Sequence, residues 1–240
     1  MTVEIFDCEQ GSPEWHKLHL GVPTASNFAA IMAKGEGKMR RKYLLQKVAE
    51  IFTGEVEEGF TNAHMERGKE MEAEARRLYA FMHDAEPRRV GFIRNDGIGC
   101  SPDALLGDRG GLEIKTKLGH LQLETIFARK LPSEHMAQVQ GCLWVAEREW
   151  WDFTSYRPRL PLFVIRVMRD DAYIRILADE VSRFRDDMNS LVQKLTAQGA
   201  QPFADGERLE ELIKDPRPQA QRDVESVLGT TDLLKIATPF

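Results

Sequence analysis

Cysteine is scarce in this chain. Its three residues, Cys8, Cys100 and Cys142, stand far apart with no C-x-x-C pair, which argues against both a disulfide framework and a zinc site. They read most simply as small buried hydrophobes. Long hydrophobic runs are missing too. No stretch approaches the roughly 18 apolar residues of a membrane span, and Met1-Thr2-Val3-Glu4-Ile5 lacks the charged and apolar regions of a signal peptide. The expectation is a cytoplasmic enzyme with no membrane partner. Bulk positive charge is absent as well: a formal charge of −5 opposes a protein that coats nucleic acid non-specifically, because that affinity comes from lysines and arginines displacing counterions. No internal repeat or low-complexity tract is evident. What remains is 240 residues with 42% hydrophobic content, enough for a substantial core.

Charge is nevertheless unevenly spread. Lys34, Lys38, Arg40, Arg41, Lys42 and Lys47 meet a single Glu36 and form the candidate phosphate-backbone contact, whereas Arg76-Arg77, Arg88-Arg89 and Arg129-Lys130 read as solvated faces.

Ser12-Pro13-Glu14-Trp15 carries a helix start, with serine as cap and proline at the first helical position, and predicts a short helix ended by Gly21. Thr24 or Ser26 caps a second helix through Phe28, Ile31 and Met32, stopped at the loop Gly35-Glu36-Gly37. Further helices are expected over Arg41–Phe52 and His64–Met82. The texture then changes to short β-prone runs, 89–93, 98–100 with 104–106, and 112–117, broken by Asn95-Asp96-Gly97 and the 107–111 turn; adjacency makes them three antiparallel strands. A helix over Ser133–Glu147, strands over Trp150–Tyr156 and Leu162–Met168, and a long amphipathic helix from Asp170 or Ala172 to Gln198 follow. The order gives an α/β class, in detail an α+β mixed sheet flanked by helices, with one domain over 1–198 and an appendage over 199–240.

Within the strand-like run Leu112-Glu113-Ile114-Lys115-Thr116, alternation sends Glu113 and Lys115 to one face and Leu112, Ile114 and Thr116 to the other. Nine residues earlier, Ser101-Pro102-Asp103 places another carboxylate in a turn. Magnesium takes hard oxygen ligands and usually one or two carboxylates. Asp103 and Glu113 can thus form a metal site, leaving Lys115 to orient or deprotonate a water and offset charge on a phosphate. An isolated Glu-x-Lys is more often a surface pair, as Glu36-Gly37-Lys38 illustrates.

Two polar residues on helical faces strengthen the case. Glu72 sits in line with Gly68, Ala75 and Tyr79, at the edge of a stripe of Met71, Ala75, Leu78, Tyr79 and Met82. A carboxylate aimed at a core is costly unless paired or metal-bound; pairing with Arg76 is the bland alternative. Gln138 projects onto the small face of Gly141, Cys142 and Val145, where its amide can hold a metal-bound water, a phosphate oxygen or a backbone group. The hydroxyls and free amides at Thr24-Ala25-Ser26 could receive a terminal phosphate, ordinary capping being the simpler reading.

Taken in order, Glu14-Trp15-His16-Lys17-Leu18 with Gly21-Val22 and Thr24-Ala25-Ser26, then Gly68-Lys69-Glu70-Met71-Glu72, Cys100-Ser101-Pro102-Asp103, Gly111-Leu112-Glu113-Ile114-Lys115 and Met136-Ala137-Gln138-Val139-Gln140 resemble the phage lambda exonuclease family over roughly Gln10 to Gln198. The resemblance implies a restriction-endonuclease-like core of the PD-(D/E)xK type and magnesium-dependent digestion of linear double-stranded DNA from the 5′ end. It also implies two ions per site, with Mn2+ as an alternative to Mg2+, a ring-shaped homotrimer and a phage single-strand annealing protein as partner. By position, Glu72, Asp103 and Glu113 match the metal carboxylates, the Ile114 carbonyl a further ligand, Lys115 the catalytic lysine and Gln138 the motif glutamine. Ser26, beside Thr24, matches the phosphate-contact region. His19 stands where the family has an arginine that grips the 5′-phosphate; Lys17 or an arginine such as Arg40 or Arg41 could substitute. If His19 does that work, preference for 5′-phosphorylated ends weakens as pH rises through its titration. Rival readings are an endonuclease or repair nuclease on the same core, and a non-catalytic DNA-binding module.

Overall fold

The computed structural model describes residues 2–33, 37–56 and 63–203, without the side chains of 63–67 and 69. Lys34, most of the Gly35-Glu36-Gly37 loop and the appendage beyond residue 203 lie outside the described residues.

Two sheets meet at the centre. The smaller has the order β1 (Glu4–Phe6), β3 (Phe92–Asn95), β4 (Ile98–Cys100); the larger has β2 (Pro87–Arg88), β5 (Ala104–Leu106), β6 (Gly110–Thr116), β7 (Trp150–Tyr156), β8 (Phe163–Met168). Adjacent pairs are antiparallel except β6 and β7, which run parallel in the register Glu113↔Phe153 and Lys115↔Ser155. The larger sheet is therefore mixed, as the element order required. The three expected antiparallel strands prove to be four, divided between both sheets. The chain leaves the small sheet after Cys100 and enters the large one at Ala104, and the intervening Ser101-Pro102-Asp103 contains a proline that has no amide to give to a ladder.

Helices follow the sequence grammar closely. In α1 (Pro13–His19) the Ser12 hydroxyl accepts from the Trp15 amide, and Gly21 then turns the chain at φ +67°. The expected second helix is shorter, a 3₁₀ turn at Ala25–Asn27 running into the single turn α2 (Phe28–Ile31). Next come α3 (Lys38–Thr53) and α4 (Ala63–His83). A helix that the apolar spacing did not reveal, α5 (Gly119–Ala128), precedes a 3₁₀ turn at Ser133–His135 and α6 (Met136–Val145). Asp170 caps the last helix, α7 (Asp171–Ala197), by accepting from the amides of Ala172 and Tyr173.

The large sheet separates two apolar layers. On one side Trp151 and Phe153 join Phe28, Ile31, Val139, Leu143 and Phe184 in the main core under α2, α3, α6 and α7. On the other, Leu112 and Ile114 pack with Ala75, Tyr79 and Tyr156 beneath α4. A fully buried Leu, Ile, Val or Phe in these layers contributes about 1.5–3 kcal/mol. Met82, assigned to that stripe by spacing, is instead exposed, because it lies past the end of the layer. The alternation in β6 holds: apolar residues go toward α4, while Glu113 turns to the face that carries α6.

Candidate active site

Glu113 is the buried centre of the site, with 3% of its surface exposed. Its Oε1 receives the Gln138 amide at 2.7 Å and the Lys115 ammonium at 2.7 Å; its Oε2 is buried with no hydrogen-bond partner. Gln138 thus neither bonds to backbone nor waits free for a phosphate in this state. It fixes the carboxylate from α6. Asp103, in the turn between β4 and β5, accepts from the Ile114 amide at 2.5 Å, so the two motif acids are linked through the strand that carries Glu113. Glu72, on α4, pairs with Arg76 one helical turn on and is near enough for its charge to act on Glu113 and Asp103, although it does not share their cavity lining.

Electrostatics show how close these groups stand. Burial, then the negative charges of Glu113 and Glu72, push the Asp103 carboxyl well above its ordinary range, against the opposing Ile114 amide and Lys115 ammonium. Burial likewise raises Glu72, with Arg76 and Arg89 working against the shift and Glu113 adding to it. Burial works to lower the pKa of Lys115, yet Glu113 and Asp103 outweigh it and lift it above its usual value. Lys115 is therefore an ammonium here, suited to orienting water and balancing phosphate charge.

Among the described residues, no three His, Cys, Asp or Glu side chains are gathered in ion-holding geometry. The donors nevertheless suit a hard divalent cation in kind. An orphaned, buried Glu113 oxygen and an Asp103 held toward its neutral form by burial and then by two neighbouring acids are both relieved by a cation among them.

Asp103, Glu113, Lys115 and Gln138 line a cavity of about 440 Å³ together with Thr24, Ser26, Asn27, Tyr43, Gln46 and Lys47. There the Thr24 and Ser26 hydroxyls lie 3.2 Å apart, the Asn27 amide donates to both, and the Tyr43 hydroxyl accepts from the Thr24 backbone amide. Thr24 makes no side-chain cap, and two short turns do not supply the helix start that the sequence suggested.

His19 lines the cavity but is not a charged grip. It is 8% exposed, packed at a tilt against the Trp15 and Phe92 rings; Nδ1 meets the Trp15 carbonyl at 2.7 Å and Nε2 the Ser101 hydroxyl at 3.2 Å. A carbonyl only accepts, so Nδ1 carries the proton and Nε2 receives the hydroxyl's. Burial lowers the ring from 6.5 to about 4, and Lys47 adds to the shift. The imidazole is therefore neutral near neutral pH and cannot supply the pH-dependent grip on a phosphate considered for it. Lys17 is exposed outside the cavity lining, Arg41 is exposed, and Arg40 bonds Asp187 of α7 at 2.8 Å beneath the Phe184 ring.

Lys47 was visible only as a member of a basic run. It is buried against the wall, donating to both Glu50 carboxylate oxygens and to the His19 carbonyl, while Glu50 also takes the Gly21 amide. Its i, i+3 spacing to Glu50 within α3 is the signal that could have singled it out.

Residues 14–149 match the YqaJ-like viral recombinase domain. The chain belongs to that family. It is similar to LHK-Exo, an alkaline exonuclease from Laribacter hongkongensis: 34% identity and TM-score 0.72 in one crystal structure, 35% and 0.73 in another, solved with dAMP. Both superpositions cover 79% of this chain and 98% of the other. A phage-related exonuclease from Haemophilus somnus 129PT shares the fold at 14% identity and TM-score 0.56, over 75% of this chain and 99% of its own. No curated protein matches the chain significantly. These findings bear out the resemblance to lambda exonuclease and the mixed-sheet fold. No helix among the described residues is long and apolar enough to cross a membrane.

Proposed function

We propose that the chain is a magnesium-dependent 5′→3′ exonuclease that digests one strand of linear double-stranded DNA to 5′-mononucleotides and leaves 3′ overhangs for recombination by strand annealing. The observation that carries this reading is the convergence of Asp103, Glu113, Lys115 and Gln138 on one cavity that is also lined by the hydroxyl and amide groups of Thr24, Ser26, Asn27 and Tyr43. The likeness to an alkaline exonuclease solved with dAMP, a nucleoside monophosphate, supports it.

Glu72, Asp103, Glu113 and the Ile114 carbonyl would hold Mg2+, two ions in the reading favoured here, or Mn2+. A bound divalent ion supplies activation of water near neutral pH and charge compensation at the phosphate. Gln138 donates to Glu113 Oε1, which leaves the buried Oε2 without a competing donor. Lys115, held as an ammonium, orients the attacking water and stabilises negative charge on the phosphoryl oxygens. Ser26, Thr24 and Asn27 offer hydrogen bonds to a terminal phosphate, and Lys47 is the cation nearest in kind to the grip once sought at His19. The homotrimer and the annealing partner belong to the same proposal.

The test is a linear duplex with one labelled 5′-phosphate beside a closed circle, incubated with Mg2+. Labelled mononucleotide from the linear DNA and an intact circle support the proposal; nicks in the circle support the endonuclease; binding without release from either supports the non-catalytic module. Lys115→Ala is expected to bind the duplex as wild type does and to release nothing.

A further inference from the structure

We propose that Arg76 is the resident counter-ion of the carboxylate cluster: it neutralises Glu72 in the ion-free protein, yields Glu72 when a divalent cation arrives, and thereby sets the concentration at which the site loads. The inference rests on the metal-dependent reading above.

Arg76 follows Glu72 by four residues on α4, and its Nη2 is paired with Glu72 Oε1. The arginine side chain is only 14% exposed, against 30% for its partner, so the pair is more than a solvated surface contact. Arg76 Nε is buried without a hydrogen-bond partner. An arginine held that deep with an unsatisfied donor is kept there by the carboxylate, since burying a guanidinium is costly unless it is paired.

The groups facing Glu72 define the competition. Arg76 and Arg89 attract it, Lys115 adds a weaker attraction, and Glu113 repels it. Asp103 feels both Glu72 and Glu113. Three acids therefore share one region, and Glu113 already has Lys115 as its cation. Arg76 is the cation in direct contact with Glu72, and it occupies an oxygen that a metal would need. A cation entering the cluster must take Glu72 from Arg76 and tolerate the guanidinium's positive charge nearby. Both effects weaken ion binding, while in the ion-free state the pair relieves repulsion among the acids.

The experiment is calorimetric titration of Mn2+ into the full chain, with thermal melts in chelator and in saturating Mn2+. Arg76→Gln is expected to bind Mn2+ about tenfold more tightly, as removal of one nearby positive charge requires. It should melt lower than wild type in chelator and recover in Mn2+, widening the gap between the two melts. Arg76→Lys, which keeps the charge, should stay near wild type. In a Glu72→Gln background the Arg76→Gln change should tighten binding by clearly less than about tenfold, since the competition for Glu72 is gone and only the repulsion by the nearby guanidinium charge remains to be relieved. A purely structural arginine would lower both melts equally and leave affinity unchanged. If wild type binds Mn2+ and Arg76→Gln binds no tighter, this inference alone is overturned. If wild type binds no Mn2+, the metal reading falls and this inference with it. Should Arg76→Gln be too unstable to titrate, Arg76→Met supplies the same comparison, and a melt unresponsive to Mn2+ in both variants overturns the inference.

Discussion

His19 offers a quantitative check on the geometry of the end-binding wall. Its folded value of about 4 lies below its ordinary 6.5, so the protein gains stability from a neutral His19 that is fully present above 6.5 and is lost as pH falls toward 4. The interval of about 2.5 units corresponds to about 3 kcal/mol at 1.36 kcal/mol per unit. For a domain of this size that is a fall in melting temperature of about 6–12 °C between neutral and pH 4, with His135, also lowered to about 4 by burial and then by Lys115, adding to it. The assay is a series of thermal melts in chelator from pH 7.5 to 4, on wild type and His19→Gln. The variant should be less stable at pH 7.5, having lost the contacts to Trp15 and Ser101, but its acid limb should be shallower by up to one proton. A second readout is functional: preference for 5′-phosphorylated over 5′-hydroxyl ends should stay flat from pH 6 to 9, because His19 carries no charge anywhere in that range. An end preference that declines through pH 6.5, or an acid limb as steep in the variant as in wild type, refutes the buried neutral imidazole.

Asp103→Asn keeps an acceptor for the Ile114 amide and removes a charge that burial and two neighbouring acids oppose. Because the folded carboxyl titrates above its ordinary value, its stabilising contribution is present at acid pH and lost as pH rises. In chelator at pH 7.5 the variant should therefore be more stable, by about 0.5–2 kcal/mol in chemical denaturation, and should have lost nuclease activity. Equal or lower stability would contradict the crowding of acids. Gly141→Ala should destabilise the protein even though alanine favours helix by about 1 kcal/mol, since a Cβ there would lie 2.5 Å from the Phe28 ring. Overpacking of this kind costs about 1–3 kcal/mol, and a variant that melts higher than wild type would show that α6 has room to shift.

Much of this was legible in the chain. The parity of Glu113 and Lys115, the cap at Ser12 and the stripe through Ala75 and Tyr79 are local rules that tertiary structure respected. α5 escaped notice for a physical reason: its buried face is polar, with Gln122 bonded to the Ser155 and Pro161 carbonyls and Thr125 to Lys117, while Leu118, Leu121, Leu123 and Phe127 face solvent. A hydrophobic period finds helices that bury apolar residues, and this one does the reverse. The division of strands between two sheets was likewise invisible, because pairing across Pro102 depends on contacts distant in sequence. His19 was misjudged in charge because its ordinary titration range says nothing about the Trp15 and Phe92 rings that enclose it. Glu72 was placed correctly at the edge of its stripe, and both readings offered for it met in one residue: it pairs with Arg76 and faces the acid cluster.

Anomalous diffraction from crystals soaked in Mn2+ tests the account most directly. The account predicts manganese scattering among the Glu72, Asp103 and Glu113 carboxylates, within ligand distance of the Ile114 carbonyl and beside Lys115. Scattering confined to other surfaces, with those three carboxylates free of metal at saturating Mn2+, would contradict it.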